Sequence, residues 1–165
     1  MKITVVEPIE LMIPWIERVR EPMSAHMGGA ERTFVYKIFT DEGIAGLGEG
    51  GDHRDKLDSY VGKDPFDFIM GNNPEPLQEA LYDIMGKALG KPAHALLGQK
   101  CRDKVAAAFW SIDMSPDRAS DEAMAAVEAG YLVHKLKVRP WIDFIAQAES
   151  IFSVVPPEYR LRPDN

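Results

Sequence analysis

The feature that most limits what this chain can fold into is the rhythm of its last third. Val105-Ala106-Ala107-Ala108-Phe109-Trp110 is a short apolar strand. Ser120 to Gly130 follows as a helix, with Ala123, Val127 and the Met124 side inward. Leu132 to Val138 is a strand, Ile142 to Val154 a helix, and Tyr159-Arg160-Leu161 opens another strand. Strand, helix, strand, helix, strand means βα units and a parallel sheet.

The earlier part of the chain has a different pattern. Ile3, Val5, Ile9, Leu11 and Ile13 mark a first strand, and Arg32 to Thr40, rich in β-branched and aromatic residues, marks a second. Asp41-Glu42-Gly43 supplies a turn, and Ile44 to Glu49 returns as a third strand, which predicts an antiparallel meander. Between the first two strands, Pro14 to Ala30 holds two prolines, Met23, His26, Met27 and Gly28-Gly29, and reads as a long mobile loop of the kind that often carries function. Asn73 is an N-cap with Pro74 at the first helical position. Leu77, Ala80, Leu81, Ile84, Met85 and Ala88 then form one buried helix face, which Gly90 ends. Pro92 opens a short helix through Leu97, closed by Gly98.

The chain thus divides into an α+β unit, residues 1–103, and the opening of an α/β unit, residues 104–165. A closed (β/α)8 barrel takes roughly 250 residues. The second part is therefore expected to be a truncated barrel.

Composition narrows the function classes. With 19 basic and 26 acidic residues the formal charge is −7, which gives no electrostatic case for nucleic acid or an anionic membrane as partner. No apolar run reaches bilayer length, and the N-terminal residues do not form a signal peptide. The single cysteine, Cys101, forms no internal disulfide and fits a cytoplasmic protein.

The strongest chemical signal is Lys135-Leu136-Lys137. Residues two apart on a strand face the same way, so two ammonium groups project side by side among apolar neighbours. Burial and a like-charged neighbour are the conditions that turn a lysine into a general base. The motif also ends a barrel strand, where barrel active sites form. Asp164, at the end of the next strand, is a hard oxygen donor suited to Mg²⁺, although Pro-Asp-Asn also reads as a turn. Gly46-Leu47-Gly48-Glu49-Gly50-Gly51 satisfies G-x-G-x-x-G without the helix a dinucleotide site needs. These glycines read instead as places of close backbone approach. His134 alternates away from the lysines.

These segments, in order, resemble the enolase superfamily, specifically mandelate racemase/muconate lactonizing enzyme-like proteins. Thr33 to Glu49, ending in Gly-Leu-Gly-Glu, resembles the meander of that family's capping domain. Gly86 to Pro92 followed by Leu96-Leu97-Gly98-Gln99-Lys100-Cys101-Arg102-Asp103-Lys104-Val105 is similar to the junction leading into the barrel. Gly130-Tyr131 through Lys137 resembles the second barrel strand with its Lys-x-Lys motif, and Leu161 to Asn165 the third. The family's third strand usually reads Asp-x-Asn, whereas here Pro163 precedes Asp164 and Asn165 follows directly.

The resemblance implies a capping domain followed by the first strands and helices of a TIM-type barrel. It implies a carboxylate substrate bound to Mg²⁺, a base that removes the α-proton, and a metal-stabilised enediolate that is racemised, dehydrated or cycloisomerised. By position, Lys137 is the acid/base, Lys135 its partner and Asp164 a metal ligand. Trp15, Met23 and His26, on the segment from Pro14 to Ala30, become substrate contacts. The expected partners are a small carboxylate, such as a sugar acid, and further copies in a homo-oligomer. The family's other carboxylate ligands lie on later strands, so residues 1–165 alone are expected to be inactive. The alternative is a truncated, noncatalytic protein whose capping domain and open barrel edge mediate association.

Overall fold

A computed structural model of the chain describes residues 1–69 and 77–164. Contacts divide the chain into two compact units, one of Met1–Pro14 with Ala30–Asp103, the other of Trp15–Gly29 with Lys104–Asn165.

The first unit is the expected meander with helices. Strands β1 (Ile3–Pro14), β2 (Ala30–Thr40) and β3 (Ala45–Gly50) pair antiparallel in the order β1-β2-β3. The alternation of β2 buries Phe34, Tyr36 and Ile38 on one face. Helix α2 (Gln78–Leu89) covers that face with Ala80, Leu81, Ile84 and Met85, all buried. Two 3-10 helices, Arg54–Ser59 and Pro65–Phe68, and the short α3 (His94–Leu97) complete the unit. The proposed start of α2 at Asn73 and Pro74 lies outside the described residues. Gly90, in a left-handed conformation (φ 61°), ends the helix as expected. Ala88 is exposed, so the buried stripe is one turn shorter than its spacing predicts.

Close approach explains the glycines of β3. Gly46 and Gly48 stand opposite Ile38 and Tyr36, on the face that α2 covers. A Cβ on Gly46 would overlap the carbonyl oxygen of Ala80, and one on Gly48 would lie 2.5 Å from the amide nitrogen of Ala80. Helix α2 also serves the free edge of β3. Asp83 Oδ2 accepts from Leu47 N–H at 2.9 Å, Glu79 Oε2 accepts from Glu49 N–H at 3.0 Å, and Lys87 Nζ donates to the Ala45 carbonyl at 2.7 Å. Positions 79, 83 and 87 are one row of a helix, so a single face satisfies the backbone groups that an edge strand otherwise leaves open.

The second unit has strands β4 (Phe109–Ser111), β5 (Val133–Lys137) and β6 (Arg160–Asp164) in a parallel sheet of order β4-β5-β6. Helices α4 (Pro116–Glu128) and α5 (Phe144–Phe152) connect them. These are successive β/α units of barrel type. Two boundaries and one buried face depart from the sequence reading. Strand β4 starts at Phe109, and Val105 is 77% exposed. Helix α4 starts at Pro116, because Ser115 Oγ accepts from Arg118 N–H as an N-cap and Pro116 fits the first helical position. Its buried stripe is Ala119, Ala123 and Ala126, which turns Met124 outward at 45% exposure.

The largest correction concerns residues 14–30. They are not a loop: Glu17–Met27 is helix α1. Val19 and Met23, four residues apart, are buried with Ile112, and Trp15 and Trp110 pack against them. Pro22 lies inside the helix and has no N–H to offer the Arg18 carbonyl. That carbonyl instead accepts from Arg118 Nη2 at 3.3 Å, while Arg118 Nη1 donates to Glu21 at 2.8 Å. Arg18 itself binds Glu122 at 2.7 Å and the Trp110 carbonyl at 3.0 Å. Tertiary contacts thus compensate the interruption that made the segment read as a loop.

His134 faces away from the lysines, as expected, and is fully buried. Its Nε2 lies 2.5 Å from Ser111 Oγ, and the Phe109 and Tyr159 rings stand edge-on to it. Burial, with a smaller contribution from the Arg18 charge, pushes its pKa down to about 4.

Two predictions follow from this packing. Gly48→Ala should lower the unfolding free energy by about 3 kcal/mol in urea titration, because the obstructing atom is backbone. Gly51→Ala, where a Cβ meets only the His53 ring at 3.8 Å, should stay within about 1 kcal/mol. Second, His134 is held neutral in the folded state and takes up a proton more readily when unfolded. Its contribution to stability is therefore complete above pH 6.5 and is lost as pH falls toward 4. The urea midpoint should drop across that window with a slope approaching about 1.4 kcal/mol per pH unit, and His134→Gln should flatten the slope.

Candidate active site

The pleat of β5 sorts its residues. His134 and Leu136 are fully buried on the helix-covered side, and Lys135 and Lys137 emerge on the other, with side chains 42% and 24% exposed. The parallel register sets Lys137 opposite Asp164 and Lys135 opposite Arg162. Lys137 Nζ donates to Asp164 Oδ2 at 2.9 Å, and Lys135 Nζ lies 3.1 Å from the same oxygen. The Val138 N–H donates to the Asp164 carbonyl at 2.8 Å, which extends the pairing beyond the strand end. The hydrogen bond from Lys137, and after it that from Lys135, holds the Asp164 carboxyl below its ordinary value of 3.8. The structure therefore brings Lys135, Lys137 and Asp164 together, with Pro163 on an outer strand of the three described, where its missing N–H is tolerated.

A second polar cluster lies at the same strand ends. Asp113, two residues beyond β4, places Oδ2 2.5 Å from His26 Nε2 and accepts from Arg139 Nε at Oδ1, 3.2 Å away. Arg139 lies two residues beyond β5, and its guanidinium sits 5.7 Å from the centre of the Trp141 ring. The His26 and Trp141 rings are 6.1 Å apart. Burial raises the Asp113 carboxyl, but the bonds from His26 and Arg139 outweigh it, and the net shift is downward. A cavity of about 650 Å³ opens beside His26, between α1 and the segments that start α4 and α5.

The three substrate contacts expected on residues 14–30 fare differently. His26 reaches this cluster. Trp15 is partly buried against the α1 core, and its indole N–H donates to the Gly28 carbonyl at 2.8 Å, tying the two ends of α1 together. Met23 fills the small core with Val19 and Ile112 rather than a cavity wall. Asp113 and Arg139 were not singled out from sequence. Their positions, two residues past a strand end, were the available signal.

Asp164 is the residue here that suits Mg²⁺, which commonly uses one or two carboxylates and keeps several waters. Among the described residues no group of three or more His, Cys, Asp or Glu side chains gathers around a point. No helix among them is long and apolar enough to cross a membrane.

A meander-and-helix unit followed by parallel β/α units, with paired lysines at a strand end, defines the N-terminal part of a capped β/α-barrel protein. No family model matches the sequence. The chain is 25% identical over 168 residues to an N-succinyl-L-Arg/Lys racemase from Bacillus cereus, covering 84% of this chain and 44% of that protein. It is 29% identical over 132 residues to a D-galactonate dehydratase from Pectobacterium atrosepticum, covering 64% and 35%. The crystal structure of a dipeptide epimerase from Enterococcus faecalis, complexed with Mg and the dipeptide L-Leu-L-Tyr, superposes with a TM-score of 0.80 at 22% identity, over 99% of this chain and 53% of that one. The relatives and the fold point to the enolase superfamily, with the chain matching the N-terminal part of such proteins. It spans about half the length, or less, of the relatives it matches.

The geometry predicts a titration. In metal-free protein the Asp164 carboxyl should titrate below 3.8, and Lys137→Met should move it back up, with Lys135→Met giving a smaller rise in the same direction. Carbon-detected NMR of the carboxyl reads both. An unchanged titration in Lys137→Met would mean that the contact does not persist in solution.

Proposed function

We propose that this chain forms the N-terminal half of a Mg²⁺-dependent enzyme that removes the α-proton of a small carboxylate substrate. The observation that carries the reading is the convergence of Lys135, Lys137 and Asp164 at the strand ends of the parallel sheet. The racemase, dehydratase and epimerase relatives support it, since each of those reactions can begin with loss of a proton beside a carbonyl group.

In this reading Asp164 is one ligand of the metal, which when bound would supply positive charge to the substrate carboxylate. Lys137, the less exposed lysine and the one directly opposite Asp164, takes the α-proton as general base and returns it as acid. Lys135, one step back on the same face, faces the carboxylate oxygens and stabilises the charge that develops there. The leucine between them is buried and fixes the strand, so neither lysine can turn under the helices. One protein carboxylate is an incomplete Mg²⁺ site, so residues 1–165 by themselves are expected not to turn over substrate. We place the protein in the cytoplasm, acting on a small acid in solution.

The test is solvent exchange. Full-length protein with Mg²⁺ in D2O should incorporate deuterium at the α-carbon of its substrate, and Lys137→Met should lower that rate at least about a hundredfold, the usual contribution of a positioned acid or base. Proton NMR of the substrate follows it. Wild-type exchange in the Lys137→Met variant would remove the assignment of Lys137 as base.

A further inference from the structure

The end of β5 carries a third cation that the reaction described above does not use. Lys135 and Lys137 converge on Asp164, and Arg139 follows two residues later. Two residues of extended chain advance about 6.6 Å, so Arg139 stands one strand step beyond Lys137. It is held at one nitrogen. Its Nε donates to Asp113 Oδ1 at 3.2 Å, and the other oxygen of Asp113 meets His26. Among the described residues, Nη1 and Nη2 of Arg139 have no hydrogen-bond acceptor. Most donors of the planar guanidinium fork lie on those two nitrogens. The bond to Asp113 thus fixes the plane of the group and leaves its outer edge open.

Burial decides which member of the pair a solute meets. The Asp113 side chain is 10% exposed and that of Arg139 26%. A cavity of about 500 Å³ opens at this turn, lined by Val138, Arg139, Pro140 and Trp141. Arg139 is the charged member of that wall, and the rest is largely apolar. Trp141 is 66% exposed, and its ring centre lies 5.7 Å from the guanidinium carbon. An apolar recess with one oriented guanidinium is suited to a carboxylate, because charge-assisted bonds to the fork are strong and can form in pairs. The charge balance points the same way. Lys135, Lys137 and Arg139 stand against two carboxylates, Asp164 and Asp113, and Asp113 is the more deeply buried of the two. We propose that Arg139 is a specificity-determining residue whose Nη1 and Nη2 bind a second carboxylate of the substrate. The proposal rests on the carboxylate reading above and narrows its substrate class to dicarboxylic acids. The carboxylate beside the reacting carbon lies toward the lysines, and the second lies one strand step outward, against Arg139 and Trp141.

The experiment is calorimetry of full-length protein in the presence of Mg²⁺, with adipate and hexanoate as probes. The two acids have the same chain length, and adipate carries the second carboxylate. Adipate should bind at least about tenfold more tightly, the scale of one charge-assisted hydrogen bond. Arg139→Gln should bring adipate to the level of hexanoate and leave hexanoate unchanged, which also shows that the variant is folded. In protein labelled with 15N-arginine, adipate should shift the Nη resonances of Arg139, and hexanoate should not. Equal affinities for the two acids, or a difference that survives Arg139→Gln, would overturn this inference and leave the carboxylate reading standing. Binding of neither acid would overturn that reading, and this inference with it.

Discussion

The pleat of β5 makes one five-residue strand serve two purposes. His134 and Leu136 go beneath the helices, and the two lysines go to the opposite face. A slip of one residue would place two ammonium groups among Leu136's present neighbours, Ala119, Ala123 and Ile151, at a cost no nearby carboxylate would offset. The core therefore fixes the face on which the lysines stand. The register with β6 then adds Asp164 opposite Lys137, and the chain's exit from β5 brings Arg139 to Asp113. The lysine contacts with Asp164 and the bond from Arg139 to Asp113 follow from that alternation and the parallel pairing beside it, whereas His26 is brought to Asp113 by α1.

The first unit solves a different problem with similar economy. Its sheet and helix meet through two glycines, which let the α2 backbone lie directly on β3. That closeness is what allows Glu79, Asp83 and Lys87 to reach the backbone of β3 from one helical row. With larger residues at 46 and 48 the helix would stand off and the strand would keep an unsatisfied edge. The glycines and the charged row are parts of one arrangement.

Much of this was legible in the sequence, and the reasons differ by element. The meander, the β/α rhythm and the separation of His134 from the lysines all rest on short-range periodicity, which the backbone imposes locally. The glycines of β3 were readable because no helix follows them. Helix α1 was not readable as a helix. Pro22 and Gly28-Gly29 outweighed the Val19 and Met23 spacing, and the Arg118 contact that compensates Pro22 comes from about a hundred residues away. Asp113 was missed for a related reason. It sits in an aperiodic stretch, and its partners His26 and Arg139 are 87 and 26 residues distant, so only the folded topology makes them neighbours. The lysines and Asp164 stand out in the sequence because a strand end is a recognisable place for chemistry, and their contacts with one another come from register.

Pro22 shows how a local defect can become a connector. A helix with every carbonyl satisfied internally presents only side chains to its surroundings. By removing one donor, the proline leaves the Arg18 carbonyl unclaimed, and a guanidinium from α4 takes it. The result is an attachment point written into the main chain, which does not depend on the side chain at position 18. Substitutions around it can therefore change the surface of α1 while its mooring stays where it is. A family that diversifies its ligand contacts on this segment would gain from an anchor of that kind, because the chemistry facing the ligand and the hold on the helix can vary separately.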